Sequence, residues 1–201
     1  RLFIKYYIII MNAKDAILNR RSCRKFIPDK PVPKEIVEDI LLAGRSAPTG
    51  MNTQLVKFHV ILNNTKLLQT IGEKCFNGLP AEVKPRFVTR KQNYGITDPI
   101  FYDAPCAIIL TYEKTDKKRS MDMDAGIACG NILTMITSYG LGGIPVGIAK
   151  LGNEAAVLEG VGTNKDKEEL LLCIPFGYEA PEWKEKFLTK KELVSKVNWV
   201  A

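Results

Sequence analysis

The amino-acid sequence predicts a single α+β or α/β sandwich. Two continuous apolar runs of strand length, "APCAIILTY" at 104–112 and "ELLLCIPFGY" at 169–178, supply the first observation. The second is helical periodicity in the segments between and before them. The third is the absence of any linker, repeat or low-complexity stretch across 201 residues, enough for one domain with a sizeable core. Continuous apolar runs of this length fit strands covered on both faces, and alternating helices provide the cover.

The elements follow in order. Met11 reads as a natural start, so residues 1–10 are expected to be an upstream or cloning-derived extension and 11–201 a single domain. "AKDAILNR", 13–20, predicts a short helix. "PKEIVEDILLAGRS", 33–46, is amphipathic, with Ile36, Val37, Ile40 and Leu41 at helical spacing and Pro33 near its start. "APTGMNTQ" is a loop, "KFHVIL" (57–62) a strand and 65–75 a helix. Residues 77–103 contain Gly78, Pro80, Pro85, Gly95 and Pro99 and are expected to be irregular. After the strand at 104–112 comes a long helix, 121–140, with Ala125, Ala128, Cys129 and Ile132 on one stripe. "GGIPVGIAKLG", 142–152, is expected to carry a strand and "NEAAVLEGVG" a short helix. The C-terminal arm, about 179–201, is polar with Trp183, Phe187, Leu193, Val197 and Trp199 as anchors that must bury on something else.

Composition excludes several functions. No segment reaches the roughly 18 apolar residues a membrane span needs. "LFIKYYIII" is short, interrupted by Lys5 and lacks a small-residue cleavage site, so no signal peptide is expected. The net charge is +7, but the cations are dispersed and not interleaved with aromatics, so a lysine-rich solvated surface is expected and no nucleic-acid partner. Five cysteines, at 23, 75, 106, 129 and 173, form no C-x-x-C pair. That pattern predicts no metal site, no disulfide framework, and reduced thiols in a cytoplasm. Cys106, Cys129 and Cys173 lie in apolar runs, whereas Cys23 sits among arginines that would favour its thiolate.

"NRRSCRKFIPD", 19–29, concentrates Arg20, Arg21, Arg24 and Lys25 around Ser22 just where a helix ends. By itself this charge suits a helix C-terminus. The same forked cations beside a hydroxyl also suit a phosphate. "GLGGIPVG", 140–147, has glycines spaced like a dinucleotide loop, but a helix precedes it and a strand follows, the reverse of that motif. "RSAPTGMNTQ", 45–54, is a turn by composition, yet gathers a hydroxyl, an Asn and a Gln.

In order and spacing, "RRSCRKF", "APTGMNTQ", "GLGGIPVG" and "IPFGYEAPEWKEK" resemble the nitroreductase family of flavoproteins from Met11 to the C-terminus. The resemblance implies an FMN-binding, three-layer α-β-α sandwich with a mostly antiparallel sheet, assembled as an intertwined homodimer. It implies electron transfer from NAD(P)H through the flavin to a nitroaromatic, quinone or similar small acceptor, with no side chain carrying the chemistry and no metal. Arg20, Arg21, Ser22 and Arg24 match the family's segment for the FMN phosphate and ribityl chain. Pro48, Thr49, Gly50, Asn52 and Gln54 match the loop that a partner subunit lays against the flavin. Pro145, Val146 and Gly147 match the stretch whose backbone faces the isoalloxazine, with an amide near N5. Lys184 and Lys186 fall where a second basic pair reaches the phosphate. Thr49 stands where Ser is usual, Leu55 where Pro is usual, and Lys186 where Arg is common. A flavin-fragmenting or dehalogenating relative is the alternative, with a nucleotide- or nucleic-acid-binding protein a more distant one.

Overall fold

In a computed structural model, residues 11–114, 121–183 and 197–200 are described. α1 (Ala13–Asn19) starts at Asn12, whose side chain accepts from the Asp15 amide at 3.0 Å. α2 (Lys34–Arg45) follows Pro33, and α3 (Thr65–Gly78) is capped by Asn64 on the Leu67 amide at 3.0 Å. The strands are β1 (Val56–Ile61), β2 (Cys106–Glu113), β3 (Gly142–Gly143) and β4 (Glu168–Gly177). They form one antiparallel sheet in the order β1-β2-β4-β3.

The sheet is covered on both faces, and β2 shows how. Cys106, Ile108 and Leu110 join Ile174 and Phe176 of β4 in a core with Ile36, Val37 and Ile40 of α2. The same core includes Ala125, Cys129, Ile132 and Ile136 of α5 (Met121–Ser138). Ala107 and Ile109 point the other way, into a core with Leu68, Ile71 and Cys75 of α3 and Val157 and Leu158 of α6 (Ile148–Gly160). Successive strand residues alternate faces, so a strand sandwiched between two helical layers must be apolar at every position. The α+β, three-layer architecture expected from the sequence is the one observed.

Three local expectations are corrected. Residues 77–103 are not irregular throughout: α4 (Lys84–Tyr94) lies within them. The Pro and Gly read as breakers are its punctuation, since Pro85 occupies the first turn and Gly95 ends the helix at φ 60°, a left-handed cap. The strand in 142–152 is only two residues long, followed by an isolated bridge between Val146 and Cys173. The helix expected at "NEAAVLEGVG" starts earlier, at Ile148. Asn153 does carry the N-cap signal, accepting from the Ala156 amide at 3.1 Å, but it does so at a kink inside α6. Cys23 is fully buried, its Sγ 3.1 Å from the Lys25 carbonyl. All five cysteines are buried and none is in a disulfide, and burial pushes the thiols of Cys75 and Cys129 up to about 12 and about 11.

One polar network ties the sheet together at its far end. Glu168 of β4 is 6% exposed and accepts from Thr111 Oγ1 at 2.6 Å and Lys57 Nζ at 3.0 Å, with His59 Nε2 at 2.8 Å. Burial by itself would raise its pKa; the hydrogen bonds from Thr111, Lys57 and His59 outweigh it and hold the carboxyl down to about 2. A carboxylate with a depressed folded pKa stabilises above its unfolded value and loses that contribution as the pH falls towards the folded one. Stability is therefore expected to decline between about pH 4.5 and 2. Glu168→Gln should flatten that segment of the urea-midpoint profile and cost on the order of 2 kcal/mol at neutral pH. An unchanged acid limb in the variant would contradict this.

Candidate functional site

The segment after α1 builds the first half of the site. Arg20 leaves helical geometry at φ −53°, ψ 128° while its N–H still donates to the Ala16 carbonyl. The chain then runs extended: Ser22 forms a parallel bridge with Gly143, and the Cys23 amide donates to the Gly143 carbonyl at 3.2 Å. A Cβ on Gly142 would lie 2.7 Å from Cβ of Cys23, so this side-by-side course requires glycine there. Cys23 is buried here, while Arg20, Arg21, Ser22 and Arg24 are half-buried.

The arginines differ in their contacts. Arg21 Nη1 donates to the carbonyls of Leu18 and Arg20, each at 3.0 Å, and so caps the C-terminus of α1. Arg24 has a buried Nε that donates to nothing among the described residues, and Arg21 Nε is in the same condition. Among the described residues neither Arg20, Arg21 nor Arg24 pairs with a carboxylate. A buried guanidinium nitrogen without an acceptor is costly, and an anion alongside would supply one.

The stretch 145–147 adjoins this segment through β3. Pro145 and Gly147 are exposed and Val146 is buried. The Val146 amide donates to the Cys173 carbonyl at 2.7 Å and its carbonyl accepts from the Cys173 amide at 3.2 Å. Its backbone is thus committed to the sheet. Gly147 N–H has no partner among the described residues, and it opens α6 with open space where its side chain would be.

The loop 48–54 lies elsewhere, over the start of α5. Met51, Asn52 and Gln54 are left-handed, at φ 53°, 54° and 51°. The turn is held internally by the Gln54 amide on Thr49 Oγ1 (3.1 Å) and Gln54 Nε2 on Asn52 Oδ1 (2.8 Å). Pro48, Gly50, Asn52 and Gln54 are exposed and Thr49 half-buried. A cleft of about 360 Å³ beside the loop is lined by Arg45, Thr49, Gln54, Phe58, Asp124 and Ala128 among others. No residue of 20–24 or 145–147 lines it. The fold therefore brings 20–24 and 145–147 together and leaves the 48–54 loop as a separate half. Lys184 and Lys186 lie outside the described residues. Sequence reasoning missed Asp124, buried on the first turn of α5 with its Oδ1 accepting from the Gly50 amide at 3.1 Å. Its signal was a pair of acids, Asp122 and Asp124, at the head of an otherwise largely small and apolar helix.

The nitroreductase family model matches residues 17–178. A protein of Methanothermobacter thermautotrophicus that bears the provisional name NADH dehydrogenase/NAD(P)H nitroreductase is 28% identical over 172 residues, covering 85% of this chain and 78% of that one. Iodotyrosine deiodinase of Danio rerio is 23% identical over 195 residues; 88% of this chain aligns, spanning 63% of the deiodinase's length. The crystal structure of a nitroreductase with bound FMN from Desulfitobacterium hafniense has the same fold. Its TM-score is 0.75 at 24% identity, over 96% of this chain and all of that one. No helix among the described residues is long and apolar enough to cross a membrane.

Proposed function

Because this chain belongs to the nitroreductase family, we propose that it is an FMN-dependent oxidoreductase that passes electrons from NAD(P)H to a small organic acceptor. The observation that carries the reading is that Arg20 and Arg24, half-buried and paired with no carboxylate among the described residues, flank Ser22, whose bridge to Gly143 lies four residues before the exposed Gly147. Arg20, Ser22 and Arg24 hold the phosphate and ribityl end, and Arg21 serves by fixing the helix end from which they project. Lys184 and Lys186 are assigned to the same phosphate. Pro145 and Val146 form a flat backbone ledge, and Gly147 donates its N–H to the ring nitrogen. When bound, FMN supplies the hydride and electron chemistry. The chain's own tasks are to bind, orient and leave one ring face open, so no side chain is assigned a catalytic role.

Pro48, Thr49, Gly50, Asn52 and Gln54 complete the site from a second copy of the chain, since their half stands apart from the arginines within one chain. Exposed Ile17 and Leu18 of α1, Leu42 of α2, Met51, and Met123 and Ile127 of α5 are the apolar surface such a homodimer would cover. Trp199, 90% exposed, and Val197 of the C-terminal arm add to it. Trp183, at the root of the arm, is already packed edge-to-face on Tyr94 at 5.3 Å. Light scattering is expected to find a dimer at micromolar concentration; an FMN-loaded monomer would contradict it. Buried cysteines outside any disulfide suit a reducing compartment such as the cytoplasm.

Reductive dehalogenation is the second reading, favoured by the alignment of 88% of the chain with a deiodinase. FMN-loaded protein should be assayed with NADH and NADPH against a nitroaromatic, a quinone and a halophenol. Nicotinamide oxidation with the first two supports the proposal. Halide release matched to nicotinamide oxidation with the third supports the second reading, and no turnover of any acceptor contradicts both.

A further inference from the structure

The loop 48–54 has an unusual burden, with three non-glycine residues in left-handed backbone geometry. Such conformations cost free energy and persist only when the surroundings hold them. Two of the holding contacts lie within the loop, Gln54 N–H on Thr49 Oγ1 and Gln54 Nε2 on Asn52 Oδ1. Another comes from far away in sequence. Asp124, 5% exposed on the first turn of α5, accepts the Gly50 amide at 3.1 Å across 74 residues. Seven residues on, Asn131 Nδ2 donates to the Ala43 carbonyl at 3.1 Å. Asp124 and Asn131 share one face of α5, about 10 Å apart along its axis. They pin the segment from the end of α2 to the loop at both ends. Of the two, only Asp124 grips the loop itself, and it does so with a carboxylate that also lines the cleft beside Thr49 and Gln54. A hydrogen bond to a charged acceptor is about twice as strong as a neutral one, and the positive N-terminal end of α5 favours that charge.

We propose that Asp124 is a positioning residue for flavin binding. By fixing Gly50, its carboxylate holds the 48–54 loop in the geometry that meets the isoalloxazine, and so sets affinity at the ring end of the ligand. The inference rests on the assignment of this loop to the flavin. It separates the site into two independently testable ends: the arginines act on the phosphate, and Asp124 acts on the rings through the loop.

The test titrates apo-protein with FMN and with riboflavin, well below the unfolding temperature, for wild type, Asp124→Ala and Asp124→Asn. The exchange rate of the Gly50 amide is followed by NMR without flavin. Asp124→Ala is expected to weaken both ligands equally, by about tenfold, and to accelerate Gly50 exchange. Asp124→Asn keeps an acceptor oxygen without its charge, so it should recover most of the affinity and protection. Should the Ala variant be too unstable to titrate, Asp124→Asn decides by itself: an equal few-fold loss for both flavins supports the proposal. Unchanged affinity in a folded variant, or a loss confined to FMN, overturns it and leaves Asp124 with a structural role only. Wild type that binds neither flavin would sink the flavin reading instead, while the Gly50 exchange would still report whether Asp124 holds the loop. Exchange unaffected by Asp124→Ala overturns the proposal in either case.

Discussion

Arg24→Ala is expected to lower FMN affinity ten- to hundredfold while leaving riboflavin affinity nearly unchanged. The Arg24 Nε is buried and donates to nothing among the described residues, and no described carboxylate neutralises the charge. A phosphate placed there would accept charge-assisted bonds of about 1.5–3 kcal/mol each, and every 1.4 kcal/mol is about tenfold in affinity. Riboflavin lacks the phosphate, so it feels the loss little. Arg20→Ala should behave alike. Arg21→Ala should differ, because Arg21 Nη1 is spent on the carbonyls at the end of α1. There the expected result is lower thermal stability with a smaller change in FMN affinity. Fluorescence titration of the three variants with both flavins checks the division. Equal weakening toward FMN and riboflavin in Arg24→Ala would mean that the residue shapes the fold rather than the phosphate site.

Gly78→Ala is expected to cost about 3 kcal/mol or more. A Cβ at Gly78 would stand 1.9 Å from the Gly152 carbonyl oxygen, and one at Gly152 would stand 2.3 Å from the Cys75 carbonyl oxygen. Both collisions are with backbone, so no side chain can rotate away, and α3 and α6 must separate. Overpacking of a tight contact typically costs about 1–3 kcal/mol and rises when nothing can yield. For a chain of this size the melting temperature should fall by roughly 6–12 °C. The crossing sits where α6 kinks at Asn153, one turn and a half from Gly147. Any separation should therefore also loosen the flavin's ring end, seen as weaker binding of FMN and riboflavin alike. A variant with wild-type stability would show that the two helices pack less closely than described.

Much of the architecture was legible because β2 and β4 must be apolar on both faces, which leaves an unambiguous run in "CAIILTY" and "LLLCIPFG". What misled was local punctuation. Pro85 and Gly95 read as loop signals, yet Pro in a first turn and Gly at a left-handed end are also how a helix begins and stops. Asn153 was a true cap signal inside a longer helix, because the turn before it is held by packing on α3 rather than by its own propensity. At the site, the types of residue at 20–24 were readable, but not their division of labour. Arg21 and Arg24 look equivalent in sequence; what separates them is that Arg21 Nη1 donates to the carbonyls ending α1. Asp124 could not be linked to Gly50 from sequence, since the bond spans 74 residues and no local pattern encodes it.

If FMN is held at Arg20, Ser22 and Arg24 as proposed, it meets a nicotinamide donor and a small acceptor there. Anaerobic addition of NADH or NADPH to the FMN-loaded protein, followed by flavin absorbance, tests it most directly. The predicted result is loss of the oxidised-flavin band with at least one nicotinamide, and its return on adding a nitroaromatic, quinone or halophenol. A protein that does not retain FMN, or one whose flavin stays oxidised with both nicotinamides, would contradict it.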